Sequence, residues 1–316
     1  MTSGKEGVPS ERPIRREDPI QQPVAPEPAA RIVRIGLNVA DLGRSVAFYE
    51  QGLGFARCAS GRHEGSAWGA QIGIDGAAAS FARLRLGRQE IELTQFDRPG
   101  MPYPEPRHAN DPWFQHFAIA VSDMERAYAM LSRQSYPAIS VGGPQQLPPS
   151  TGSVIAYKFR DPDGHPLELS YSSTGCWEDP ANAPPPGELF LGIDHSAIVV
   201  ADLDRSIAFY AREFGFTVIA RLLNEGPAQE RLDGLRDAEV DIVVLKTAAG
   251  GPHLELLHYR RPASAETNSF PSMHEIAATR LTIATGPLPP KLDVASGMVM
   301  LRDPDGHLIE NRARLT

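Results

Sequence analysis

At 316 residues, with 41% hydrophobic and 22% charged side chains, the chain has a globular protein's composition and length for two ordinary domains, which excludes a wholly disordered chain. A formal net charge of -8 excludes the basic footprint that nucleic acid or an anionic membrane attracts, and no apolar run is long enough to span a bilayer. Its two cysteines, Cys58 and Cys176, exclude a disulfide framework and a Cys-rich zinc site and suit a reducing, cytoplasmic setting.

Residues 1–30 are rich in Pro and charge and lack an apolar signal core, so a disordered tail is expected there. The first alternating run, RIVRIGLNV, reads as a strand with one buried face. It leads to Asp41, an N-cap for the helical pattern that follows, and that helix stops at Gly54. Further strands follow, the last being IELTQF. The same order then returns. QHFAIAV precedes Asp123 and a second helical run, and IDHSAIVV precedes Asp202 and a third that stops at Gly215.

The recurrence is literal. Residues 40–55, ADLGRSVAFYEQGLGF, and 201–216, ADLDRSIAFYAREFGF, agree at ten of sixteen positions, and RDPDGH occurs at 160–165 and again at 302–307. Its Asp-Gly predicts a tight turn into the last strand of the module, PLELSY or HLIEN. The result is a βαβββ module written four times, over about 31–97, 113–172, 190–260 and 268–312. The expected organisation is a first domain over 31–172, a Pro-rich linker over 173–189 and a second domain over 190–316. In the fourth module GPLPPKL leaves no room for a full helix, so that module is truncated.

A βαβββ unit with these opening and closing strings resembles the vicinal oxygen chelate superfamily, which includes glyoxalase I, extradiol dioxygenases and bleomycin-resistance proteins. The resemblance covers everything from about residue 31 onward. It implies an α+β fold in which the four modules pair into two cup-shaped, partly closed β-barrels. It also implies that each module offers a metal site one residue from its first strand and one Glu from its last. At the first-strand position, seven residues before the capping Asp, stand Arg34, His116 and His195, with Arg280 aligned in the fourth module. At the last-strand position stand Glu92, Glu168, Glu255 and Glu310.

Which modules pair decides the chemistry. Neighbour pairing places one Arg, one His and two Glu in each cup, and an Arg beside a metal repels it. Pairing two with three and one with four sorts the set into His116, Glu168, His195 and Glu255 in one cup and Arg34, Arg280, Glu92 and Glu310 in the other. The charge argument favours this crossed arrangement. The first set suits one divalent ion, Fe, Mn, Ni, Co or Zn. The second cancels its own charge as salt bridges, or its Arg residues hold an anionic substrate.

The resemblance implies a metal-dependent enzyme acting on a small oxygenated molecule, by lyase- or isomerase-like proton transfer through Glu168 or Glu255. Extradiol dioxygenation is the next reading, against which Arg280 counts. The alternative from another class is a metal-free protein that sequesters a small molecule, as bleomycin-resistance proteins do. His253 shares a strand face with Glu255 and is expected near the cup, while His258 has the opposite parity. His165 and His307 are expected to be exposed turn residues, and His63 and His108 have no evident partner. Substrate specificity is expected in the loops over 62–75 and 224–237. A monomer and a homodimer are equally compatible with four modules in one chain.

Overall fold

The computed structural model describes residues 1, 30–113, 115–149, 152–173, 187–265, 270–285 and 298–312. The expected tail, most of the linker with Cys176, and GPLPPKL lie outside the described residues.

The first module runs β1 (Ala30–Asn38), α1 (Leu42–Leu53), β2 (Ala56–His63), α2 (Ser66–Ile72), β3 (Ala79–Leu86) and β4 (Gln89–Phe96). The second runs β5 (Gln115–Val121), α3 (Met124–Leu131), β6 (Gln145–Gln146), β7 (Ile155–Arg160) and β8 (Pro166–Tyr171). The third runs β9 (Phe190–Val199), α4 (Leu203–Phe214), β10 (Thr217–Glu225), α5 (Gly226–Asp233), β11 (Glu239–Lys246) and β12 (His253–Arg261). The fourth contributes β13 (Arg280–Thr285), β14 (Met298–Arg302) and β15 (Leu308–Arg312).

Asp41, Asp123 and Asp202 cap their helices as expected, each carboxylate accepting the backbone N–H three residues on at 2.9–3.0 Å. Gly54 and Gly215 end α1 and α4 with φ of 72° and 70°, a left-handed conformation that glycine adopts without a Cβ penalty.

Two sheets result. One has the order β14-β15-β13-β1-β4-β3-β2, the other β10-β11-β12-β9-β5-β8-β7-β6. Modules one and four thus share one curled sheet, and modules two and three the other. Each half of the chain, 31–172 and 190–316, gives one module to each sheet. The joints are antiparallel pairs, β1 with β13 and β5 with β9.

Period-two alternation then sorts each strand. Ile35 and Leu37 of β1, Phe117 and Ile119 of β5, and Leu281 and Ile283 of β13 belong to one large apolar core with residues of α1, α3 and α4. The opposite parity of the same strands holds Arg34, His116 and Arg280, on the concave faces.

The two repeated strings explain each other. Asp161 of the first RDPDGH accepts from Tyr49 Oη at 3.0 Å, and Asp163 accepts from Ser45 Oγ and Arg44 Nη2 at 2.7 Å. In the second copy Asp303 accepts from Tyr210 Oη at 3.0 Å, and Asp305 accepts from Ser206 Oγ at 2.9 Å and Arg205 Nη2 at 2.8 Å. The turn of each even-numbered module therefore latches onto the first helix of the preceding module, which belongs to the other sheet.

This corrects the expectation for His165 and His307. Both are buried, and their Nε2 donate to Asn38 O at 2.8 Å and Val199 O at 2.7 Å. Asp161 and Asp303 each accept the backbone N–H of that histidine, which folds the ring under the turn and against the neighbouring module.

Candidate metal centre and its charge-filled counterpart

The concave face of the sheet from modules two and three surrounds a cavity of about 320 Å³ that His116, Glu168, His195 and Glu255 all line. β5 and β9 lie antiparallel at its centre, so the two histidines approach with ring centroids 5.5 Å apart. One donor atom each from His116, Glu168 and His195 lies within 4.8 Å of the others, and all three residues are buried. His116 Nε2 is 3.4 Å from Glu168 Oε2. Glu255 stands beside that trio, with Oε2 3.7 Å from His195 Nε2 and Oε1 3.3 Å from His253 Nε2. His253 therefore reaches the cup, as its parity predicted, whereas His258 Nδ1 turns to Val200 O at 3.3 Å.

Burial, with Lys158 and His195 nearby, pushes His116 well below the ordinary histidine range and keeps it neutral. Burial opposes a charge on His195, but the carboxylates of Glu255 and Asp194 outweigh it and lift the imidazolium to about 9. Burial likewise opposes the charge on Glu255, and His195 and His253 hold it down to about 2. Glu168 goes the other way, because burial raises it more than Lys158 and His195 lower it.

These residues fit a divalent ion. His195 Nδ1 bonds to Asp194 Oδ2 at 2.9 Å, while its Nε2 is buried without a hydrogen-bond partner. A carboxylate on the far nitrogen fixes the ring and aims the near one, the arrangement that metal-bound histidines use. An ion there would replace the imidazolium proton, so uptake would release a proton.

Four participants escaped sequence reasoning. Asp194 has the wrong parity for the cup, but β9 carries a bulge between His195, opposite Ala118, and Ile193, opposite Ile119. The extra residue is Asp194, and bulges re-aim side chains in this way. Lys158 of β7 lies directly across from Glu168 of β8, with Nζ 4.0 Å from Glu168 Oε2 and 2.7 Å from Asp233 Oδ1. Counting back from the Asp-Gly turn would have found that lysine. Asp233 and Gln229 come from α5, which folds out of the loop over 224–237 and forms one side of the cup. No sequence pattern had marked that helix.

The other cup holds Arg34, Glu92, Arg280 and Glu310 on matching strands, and it is filled. Glu92 accepts from Arg83 Nε at 2.7 Å and Arg34 Nη1 at 3.4 Å, and meets His63 Nε2 at 3.1 Å. His63, for which no partner was evident, is thus part of this cluster and stacks on Phe81 and Trp68. Burial opposes the charge on Glu92, but His63, Arg34 and Arg83 hold it well below the carboxylate range.

Among the described residues, Arg280 pairs with no carboxylate within hydrogen-bond reach. It donates to Asn38 Oδ1 at 2.6 Å and Thr94 Oγ1 at 3.3 Å, and lies flat over Gly36, where a Cβ would sit 2.9 Å from Nη2. Glu310 pairs instead with Arg312. Trp68 and Ile72 of α2, with Phe96, pack into this space and leave about 30 Å³.

Two curled sheets, each assembled from a pair of βαβββ modules around a concave site, set the structural class. The chain belongs to the Glyoxalase/Bleomycin resistance protein/Dioxygenase superfamily, whose family model matches residues 31–169 and 192–311. Among solved structures, glyoxalase I from Zea mays is 18% identical, with a TM-score of 0.55 over 90% of this chain and 92% of that chain. A Bacillus subtilis protein provisionally described as a dioxygenase is 13% identical, with a TM-score of 0.51 over 91% of this chain and 86% of that chain. At these identities the likenesses establish the fold alone. No curated protein matches the chain by sequence.

Proposed function

We propose that the protein is a divalent-metal-dependent enzyme of the glyoxalase type, acting on a small oxygenated molecule in the cup of modules two and three. The observation that carries this reading is His195 Nε2, buried without a hydrogen-bond partner and grouped with His116 and Glu168, in a cavity large enough for a small molecule. His116, Glu168 and His195 hold the ion, and Glu255 completes the set from beside His195. When bound, such an ion polarises adjacent oxygens of a substrate as a Lewis acid.

Glu168, lifted by burial, has a proton affinity closer to neutrality than an ordinary carboxylate, which suits it to move a proton to or from the substrate. Asp194 keeps the His195 ring oriented, and Gln229 and Leu232 of α5 line the cavity beside the site. Proton transfer is favoured over ring-cleaving dioxygenation, which uses two His and one carboxylate in a cup of neighbouring modules. Among the described residues no helix is long and apolar enough to cross a membrane, which accords with a cytoplasmic enzyme.

The test is bound metal per chain in protein purified without a tag, repeated for His116→Ala and His195→Ala. About one ion per chain, lost in either variant, is the expected result. No uptake after incubation with Fe²⁺, Mn²⁺, Ni²⁺, Co²⁺ or Zn²⁺ would overturn the enzyme reading and favour a metal-free binding protein.

A further inference from the structure

The charges of the cup formed by modules two and three restrict what it can receive. Its lining carries the carboxylates of Glu168, Asp194 and Glu255 and the ammonium groups of Lys158 and Lys246, and no arginine is among its described lining residues. Neither lysine is without a partner. Lys158 is matched by Asp233, and that carboxylate takes three donors. Oδ1 takes Lys158 Nζ at 2.7 Å, and Oδ2 takes Gln229 Nε2 at 2.7 Å and Tyr259 Oη at 2.8 Å.

With Asp233 included, four carboxylates face Lys158, Lys246 and the His195 imidazolium, and a divalent ion in place of the imidazolium proton brings the charges to balance. A ligand bringing a carboxylate or phosphate of its own would add negative charge to a lining whose positive charges do not outnumber its carboxylates. Burying an unmatched charge is costly. One part of the remaining wall is apolar, with Leu222, Val240, Ile242, Val244 and Leu257, and another carries the neutral polar groups of Ser170, Ser172 and Asn224. At about 320 Å³ the space is at the lower end for small-molecule sites.

We propose that this cup admits an uncharged small molecule with adjacent oxygen donors and an apolar body, and discriminates against its carboxylate-bearing counterpart. The need for adjacent oxygens rests on the metal site proposed above. The charge preference rests on the lining alone and holds with or without the ion.

The test is calorimetric titration of the full chain, metal-free and loaded with Mn²⁺ or Zn²⁺, with 4-methylcatechol and with 3,4-dihydroxybenzoate. The probes share the ring and the adjacent oxygens and differ in a methyl or a carboxylate remote from them. The neutral probe is expected to bind about tenfold tighter or more in both states, the scale of one unmatched charge near a partly screened carboxylate. Equal or tighter binding of the acid, or no binding of the neutral probe, would overturn the proposal. A chain that takes up no metal yet keeps the preference would sink the metal reading and leave the charge selection standing. Asp233→Asn, checked for folding by thermal unfolding, uncovers Lys158 and is expected to narrow the gap several-fold. An unchanged gap in the folded variant would show that the Lys158–Asp233 pair does not set the preference, and if the variant fails to fold the wild-type comparison decides.

Discussion

The two cups are built from the same module on the same strand positions, yet one is open and the other is closed. Between modules one and four the first-strand residues are arginines, and Arg34 donates to Glu90 and Glu92 while Arg280 donates to Asn38 and Thr94. Trp68 and Ile72 of α2 fill what is left. Between modules two and three the same positions hold histidines, too short to reach across, and α5 forms one side of the space. A repeat that keeps its backbone can thus keep one cup open and fill the other by changing its first-strand residues and the helix that packs over them.

The sharpest way to break this comparison is to remove the matching Glu from each cup. Glu92→Gln leaves Arg83 and His63 without their buried anion and Arg34 with Glu90 alone, and is expected to cost about 3–5 kcal/mol in urea or thermal unfolding. Because that carboxyl is held well below its usual range, its contribution is complete above about pH 4.3 and drains away as pH falls. Glu168→Gln removes a carboxylate that burial disfavours, so metal-free stability is expected to change by less than about 1 kcal/mol at pH 7. Equal costs in the two variants would refute the contrast.

The metal-free histidine cup is also expected to answer to alkali. His195 is lifted to about 9 from an unfolded value near 6.5, so its contribution is complete below pH 6.5 and lost as pH rises through 9. The loss is on the order of 3 kcal/mol in unfolding free energy across that window, and Asp194→Asn should shrink it. Metal loading sharpens the same distinction. At a free-ion concentration a hundred times Kd, the ion should add about 2.7 kcal/mol to wild type and nothing to His116→Ala. His63→Ala, in the other cup, should keep the full increment. The smallest effects concern the latches, where Tyr49→Phe and Tyr210→Phe should each cost roughly 1 kcal/mol and should match one another.

Much of this was legible in the chain. The helix caps Asp41, Asp123 and Asp202, the parity of His253 and the matched rows of first-strand and last-strand residues follow from local rules with fixed periods. His165 and His307 were misjudged because a turn sequence says nothing of what packs beneath it. Asp194 was hidden by a bulge, which breaks the parity on which strand reading depends. Lys158 needed a hairpin register, and Asp233 needed a helix with no amphipathic signature in the sequence.

By itself, the sequence determined the repeated module, its caps and turns, and which residue stands at each first-strand and last-strand position, because these depend on neighbours a few residues apart. Only the tertiary structure decided that Arg34 shares a cup with Arg280, that Glu92 gathers Arg83 and His63, and that Lys158 is neutralised by Asp233. Those outcomes depend on the antiparallel joints of β1 with β13 and β5 with β9. Charge sorting favours these joints, but they become fixed only when strands far apart in the chain meet and every buried charge must find its partner.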